Sequence, residues 1–184
     1  EASENYVSAH NIMFAGDFEK ARQRYKQALK VVKDPQTETS IKTFITISYL
    51  FQRNFEGALD NLYSMEEALK NNIEIDSSYL LWQLREIERL KFICYAHNQM
   101  EKQSQKALEK TIELNEDFVN ISRDKTRIKQ HKAYKISQTA WNDILFGNYV
   151  VAKERLQELN KIVSSYQDPT ALWRYNGLVG MLHL

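Results

Sequence analysis

The sequence contains little glycine or proline: five glycines and two prolines occur among 184 residues. A protein built from β-strands needs many turns and normally uses more of both residue types. Hydrophobic residues still make up 43% of the chain, which is typical of a folded domain and excludes a disordered one. The scarcity of turn-forming residues therefore predicts an all-α protein with long helices and short connections.

A disulfide framework, a long apolar run and a charge imbalance are missing as well. Cys94 is the only cysteine, and its apolar neighbours favour a small buried side chain over a reactive thiol. No stretch approaches the roughly 18 uncharged apolar residues of a membrane span. The 25 basic and 24 acidic residues leave a net charge of +1, so no global charge draws the chain to nucleic acid.

The two ends of the sequence suggest a piece of a longer protein. The chain begins at Glu1 without methionine or a signal sequence, and it ends in an apolar segment, Ala171 to Leu184. An array of helices needs a polar cap at each end, so we expect this segment to continue into further helices. A homodimer through the apolar C-terminal segment is the alternative. For the compartment, a processed exported chain is the alternative to the cytoplasm.

Three segments share one pattern, in which a turn residue lies just before an aromatic residue and alanine follows three positions after it. The segments are Gly16–Ala21, Asn54–Ala58 and Gly147–Ala152. Apolar residues then recur every three or four positions, which places them on one buried helix face. Another stretch of helical periodicity precedes each segment, so the predicted unit is helix, tight turn, helix. Aspartate followed by proline, as in Asp34-Pro35, predicts a helix start.

These residues resemble the tetratricopeptide repeat family, whose repeats carry a small residue in the first helix, a glycine and aromatic turn, and an alanine after it. Ala9, Gly16, Phe18 and Ala21 fit this pattern, and Trp173 followed by Gly177 resembles the opening of another repeat. The resemblance implies a right-handed superhelix of antiparallel helix pairs, an α-solenoid. It implies about four repeats plus a partial fifth, over residues 2–35, 36–72, 77–118, 123–166 and 169–184.

In this family the first helix of each repeat lines a concave surface that binds peptides. Carried onto this chain, that geometry implies a set of groove-facing side chains rich in tyrosine, tryptophan and arginine, the residue types that most often anchor interfaces. The implied peptide-binding residues are Tyr6, His10, Met13, Ile47, Arg85, Arg89, Tyr134, Trp141 and Arg174. For the aromatic residues, plain packing in the core is the alternative.

One segment is strongly basic. Its functional interpretation is a patch for an acidic peptide, a phosphate group or nucleic acid, and the alternative is a solvated loop running into a helix. A single aromatic residue in the segment gives little support for nucleic-acid stacking, so we do not expect a nucleic-acid partner. The basic patch comprises Arg123, Lys125, Arg127, Lys129 and Lys132.

Enzymatic signatures are absent: the sequence has no glycine-rich phosphate loop, no nucleophile elbow and no metal-ligand spacing among its histidines. Acidic pairs such as Glu86 and Glu88 lie among basic residues at helical spacing, which indicates solvated helix faces with local ion pairs. We therefore expect no enzyme and no cofactor. The expected function is a protein-interaction scaffold that binds a peptide segment of a partner. The alternative is a ligand- or peptide-sensing regulatory module attached to a DNA-binding or signalling domain.

Overall fold

The computed structural model describes residues 2–71, 76–122, 125–166 and 169–182, and this part of the chain contains nine α-helices and no β-strand. The predicted all-α class is confirmed. The superhelix and the boundaries of its repeats stay predictions. The helices are α1 (Ala2–Phe14), α2 (Phe18–Leu29), α3 (Pro35–Phe51), α4 (Phe55–Lys70), α5 (Ser77–His97), α6 (Glu101–Ser122), α7 (Lys125–Leu145), α8 (Tyr149–Tyr166) and α9 (Pro169–Leu182).

These helices form two compact units, the first with α1 to α4 and the second with α5 to α9. In the first unit each helix packs against the next along the chain. In the second unit α5 packs on α6, α6 on α7 and α7 on α8, while α9 contacts both α7 and α8. Because α7 also contacts α5, it lies at the centre of the second unit.

The turns after α1, α3, α5 and α7 share one backbone geometry. Each has a residue in the left-handed region, at Gly16, Arg53, Gln99 and Gly147, with φ of 89°, 56°, 57° and 79°. The next residue in each turn donates its backbone N–H to the carbonyl five positions back, at 2.7 to 3.2 Å. This bond satisfies a carbonyl that the helix end leaves without a partner. The turns after α3 and α5 thus close like the other two although their sequences lack glycine.

Polar side chains fix the start of several helices. Asp17 and Asn54 accept backbone N–H groups at the starts of α2 and α4, at 3.1 and 2.9 Å. Asp34 accepts the N–H of Thr37 at 2.7 Å, and Pro35 is the first residue of α3, so the helix start predicted there is confirmed. Each bond satisfies one of the donors that the first helical turn leaves without a partner.

Each unit has its own clusters of buried apolar side chains. Cys94 is fully buried in the second unit, and burial raises the pKa of its thiol to about 12, as expected for a small core residue. The first unit is centred on Ala9, Met13, Ala21, Tyr25, Ala28, Ile41 and Ile45. The second contains one cluster of Phe92, Ala96, Ala107 and Leu108, and another that includes Ala140, Ile144, Ala152, Leu156, Leu159 and Val163.

Gly147 and Gly180 are expected to respond in opposite directions to alanine. Gly147→Ala is expected to lower the free energy of unfolding by about 1–2 kcal/mol, because φ of 79° places a Cβ atom against the following carbonyl. Gly180 lies inside α9, and a Cβ atom added there would have nothing within 4 Å, so Gly180→Ala is expected to raise stability by up to about 1 kcal/mol. Urea denaturation followed by tryptophan fluorescence measures the change in unfolding free energy for each variant. Equal changes in Gly147→Ala and Gly180→Ala would contradict this turn geometry.

Within the described part of the chain, no helix has the length and apolar character needed to cross a membrane.

Candidate functional site

A pocket of about 790 Å³ opens in the second unit, among α5, α6, α7 and α9. This volume lies within the range of roughly 300–1,000 Å³ that is typical of small-ligand sites. Helix α7 contributes the side chains of Tyr134, Ser137, Gln138 and Trp141 to the wall. These positions are three or four residues apart, so they lie on one face of the helix.

Aromatic side chains form much of the pocket wall. The ring of Trp141 packs edge-to-face on the buried Phe92, with 5.3 Å between the centroids. Trp82 and Trp173 line the pocket where it meets solvent and are 41% and 76% exposed. One part of the wall is therefore anchored in the core, while exposed tryptophans at the rim offer apolar area to a ligand.

A network of charged groups lies on the α5 side of the pocket. The Glu86 carboxylate accepts hydrogen bonds from the guanidinium groups of Arg85 and Arg89, each at 2.8 Å. A second N–H of Arg85 donates to Asn115 Oδ1 at 2.8 Å. Arg174, from α9, places its guanidinium 5.0 Å from the centre of the Tyr134 ring. With three arginines and one glutamate, the lining carries an excess of positive charge.

The protonation states of Glu86 and Tyr134 follow from their burial and from these neighbouring charges. Burial alone raises the pKa of Glu86, but the charges and hydrogen bonds of Arg89 and Arg85 outweigh it, and the pKa lies below its ordinary value. Burial, with a contribution from the Glu86 charge, raises the pKa of Tyr134. Glu86 is therefore an anion at neutral pH, and Tyr134 keeps its hydroxyl proton.

His131 and Asn115 join α6 to α7 at the edge of the pocket. Asn115 Nδ2 and His131 Nδ1 are 2.5 Å apart. Burial lowers the pKa of His131 below its ordinary value, against the opposing charge of Glu116. The imidazole is therefore neutral at physiological pH, and its Nδ1 accepts the hydrogen bond from Asn115.

Four buried polar atoms in this lining have no hydrogen-bond partner among the described residues. They are Arg85 Nε, Tyr134 Oη, Gln138 Oε1 and Trp141 Nε1. Leaving a buried donor or acceptor unpaired costs about 1–3 kcal/mol, and most such groups in folded proteins are paired. A concentration of them in one pocket marks a set of polar groups that ordered water or a bound molecule can pair with.

The pocket brings together five of the residues predicted from the sequence, which are Arg85, Arg89, Tyr134, Trp141 and Arg174. Sequence reasoning missed Glu86 and Gln138 as parts of the site. Gln138 lies one helical turn beyond Tyr134, and Glu86 is adjacent to Arg85, so position on the same helix face was the available signal.

The interpretation of Glu86 and Glu88 as parts of a solvated helix face is corrected by the structure. Their ion pairs are local, as expected, but the ions are largely buried: the side chains of Glu86 and Glu88 are 26% and 15% exposed. Lys91, which pairs with Glu88 at 2.8 Å, is only 6% exposed. Neighbouring helices cover this face, which periodicity along one helix does not reveal.

The other predicted peptide-binding residues belong to the first unit. His10 Nδ1 and Tyr25 Oη are 2.8 Å apart, and Tyr6 packs beside both rings. Met13 is buried in the core of that unit, and Ile47 is half-buried on α3. Their role in binding stays a prediction.

For most of the predicted basic patch, the side chains lie outside what the structure describes. The exception is Lys132, an exposed side chain 3.7 Å from the carboxylate of Glu158. The side chains outside the description are Arg123, Lys125, Arg127 and Lys129. The binding function of this patch stays a prediction.

Among the described residues, no cluster of histidine, cysteine and acidic side chains is arranged to hold a metal ion. Comparison of the sequence with known protein families and with curated proteins finds no match.

Proposed function

We propose that this protein is a non-enzymatic binding module, and that the pocket of the second unit receives a short peptide segment of a partner. The observation that carries the proposal is the set of buried, unpaired polar atoms in a pocket lined by arginine and aromatic side chains. A peptide supplies hydrogen-bond donors and acceptors at every residue together with apolar side chains, and it matches such a lining.

The chemistry of the lining supports binding over catalysis. The hydrogen bonds between Glu86 and two arginines hold its carboxylate in place, and a low pKa makes it a poor proton acceptor at neutral pH. Tryptophan, tyrosine and arginine are the residue types that contribute most to binding energy at protein interfaces. The resemblance to tetratricopeptide repeats points to the same class of function.

A selection from a displayed library of short random peptides tests the proposal. Enriched peptides are expected to bind the parent protein and to lose about tenfold or more in affinity in Trp173→Ala and in Arg174→Ala, which remove a rim ring and a guanidinium. The matched control is Tyr149→Ala, an exposed aromatic of the same unit outside the pocket lining. Peptides bound equally by all these proteins would contradict a site in this pocket.

A sensing module for a small molecule is the second candidate, and the volume of the pocket favours it. About 790 Å³ suits a drug-sized molecule as well as a few peptide residues. In this case the peptide selection yields no enrichment, while a screen of metabolites by thermal shift finds a compound whose effect disappears in Arg174→Ala. The protein would then transmit binding to an effector domain elsewhere in a longer chain.

A further inference from the structure

The four unpaired atoms of the pocket differ in what they require from a ligand. Arg85 Nε and Trp141 Nε1 are donors, Tyr134 Oη carries a donor proton, and Gln138 Oε1 is an acceptor. The side chains of Tyr134 and Gln138 are buried, at 7% exposure each. Because three of the four sit at spacings of four and three residues along α7, they form one row, here called the α7 row: Tyr134, Gln138 and Trp141.

Arg85 can donate only some of its N–H groups to a ligand. Its two terminal nitrogens already donate to Glu86 and Asn115, both at 2.8 Å, so part of the donor capacity that the several oxygens of a phosphate require is used. Its Nε–H is unpaired. The unpaired donors are thus this N–H, the indole N–H of Trp141 and the hydroxyl of Tyr134, and they suit the two oxygens of a small anion.

The surrounding charge favours an anion at this position. Arg85, Arg89 and Arg174 line the pocket with Glu86, so the positive charges exceed the negative. The acceptor at Gln138 needs a different partner, since it repels the oxygens of an anion and attracts an N–H group. A ligand that satisfies the whole α7 row therefore presents a negatively charged oxygen pair close to an amide N–H.

We propose that the pocket recognises a carboxylate beside an amide N–H on a ligand with an apolar side chain. The carboxylate oxygens accept from Tyr134, Trp141 and Arg85 Nε, and the amide N–H donates to Gln138. The apolar part lies against the exposed rims of Trp82 and Trp173. This inference rests on the proposed binding function and adds the chemistry of the ligand. The end of a peptide and an aspartate within a peptide both carry this pair of groups.

Four small probes test the contributions of the carboxylate, the amide N–H and the position of the carboxylate one at a time. N-acetyl-phenylalanine carries the carboxylate and the N–H, and N-acetyl-phenylalanine amide lacks the carboxylate. 3-Phenylpropionate lacks the N–H, and N-acetyl-aspartyl-phenylalanine amide offers the carboxylate from a side chain. Each is titrated into the intact chain while the indole N–H signals of its three tryptophans are followed by NMR, with Trp141 assigned by Trp141→Phe. This signal reports on a proposed contact atom directly.

N-acetyl-phenylalanine is expected to shift the Trp141 signal with saturation and to bind about tenfold more tightly than its amide. Tyr134→Phe is expected to weaken the free acid about fivefold or more, while Tyr175→Phe, a partly buried tyrosine of α9 outside the pocket lining, leaves it unchanged. Gln138→Met is expected to remove the advantage of N-acetyl-phenylalanine over phenylpropionate. The aspartyl probe then distinguishes a side-chain carboxylate from a terminal one. Tighter binding of N-acetyl-phenylalanine or of the aspartyl probe than of N-acetyl-phenylalanine amide supports the proposal.

Equal binding of the free acid and the amide would overturn the carboxylate inference, although binding in the pocket would stand. A fifth probe, N-acetyl-phosphotyrosine amide, is titrated in the same way, and its tighter binding than that of both N-acetylated carboxylate probes would overturn the inference in favour of a phosphate group. Failure of all probes to shift the Trp141 signal would overturn it as well. The peptide selection with Trp173→Ala and Arg174→Ala decides the proposed function separately, since it makes no assumption about a carboxylate.

Discussion

Phe92→Ala is expected to lower the free energy of unfolding of the second unit by about 3–5 kcal/mol. Phe92 is fully buried, and it packs with Ala96, Ala107 and Leu108. Its removal loses the free energy of burying a ring and leaves a cavity that small neighbours such as alanine cannot fill. A loss of this size is a large part of the stability of an ordinary domain.

The same substitution is expected to damage the pocket at a distance from its opening. The Trp141 ring rests edge-to-face on Phe92, so its indole N–H loses the support that positions it in the α7 row. We expect weaker binding of N-acetyl-phenylalanine even under conditions in which the variant remains folded. Phe92→Leu is expected to restore most of the stability and part of the binding, since it refills much of the cavity without the aromatic edge.

Tryptophan fluorescence measures this effect in the second unit alone, because Trp82, Trp141 and Trp173 all belong to it. Urea titration of the parent and the variant gives the difference in unfolding free energy. The control is Tyr149→Ala, which removes a ring that is 54% exposed and is expected to change stability by about 0.5 kcal/mol or less. A loss below about 1 kcal/mol in Phe92→Ala would contradict the described packing of α5 against α6 and α7.

Glu86→Gln is expected to lower the free energy of unfolding by about 2 kcal/mol at pH 7. The substitution removes the charge that Arg85 and Arg89 share, and breaking a fully buried ion pair costs about 3–5 kcal/mol. We place the expected loss lower because the Glu86 side chain is 26% exposed, so solvent screens part of the interaction. Glu113→Gln is the control: its pair with Lys110 is largely exposed, and about 0–1 kcal/mol is expected.

The pH dependence of this difference identifies its electrostatic origin. The pKa of Glu86 is lower in the folded chain than its ordinary value of 4.5, so the folded state binds the proton less readily than the unfolded state. The stabilisation by Glu86 is therefore complete above pH 4.5 and is lost as the pH falls through the folded-state pKa. The parent and Glu86→Gln are expected to converge in stability below pH 4.5. A difference that does not depend on pH would contradict the role of the charge.

Glu86→Gln also has an expected effect of opposite sign on binding. Without the Glu86 charge, the positive charge of the pocket is less compensated, and a carboxylate ligand gains from it. N-acetyl-phenylalanine is expected to bind the variant more tightly while its amide is unaffected. A variant that is less stable and binds more tightly is not explained by general damage to the fold. Weaker binding of the free acid would instead assign Glu86 to the positioning of Arg85.

The fold class and several local features follow from the sequence alone. The scarcity of glycine and proline and the apolar periodicity predict helices, because both act within a few neighbouring residues. Pro35 begins α3 as predicted, and Gly16 and Gly147 lie in tight turns, since their backbone requirements are local. Arg53 and Gln99 adopt the same turn without glycine, which shows that packing of the flanking helices stabilises a conformation that the residue itself disfavours.

The pocket, in contrast to the local features, is formed only by the tertiary structure. Composition and the family resemblance singled out Arg85, Arg89, Tyr134, Trp141 and Arg174 one by one, but only the packing of α5, α6, α7 and α9 brings them around one cavity. Whether a polar atom has a partner depends on side chains far away in the sequence, as in the bond from Arg85 to Asn115, which lies 30 residues away. Spacing along a single helix determines which residues share a face. The folded chain decides which of those groups remain unpaired for a ligand, because burial and hydrogen-bond satisfaction are properties of the assembled helices.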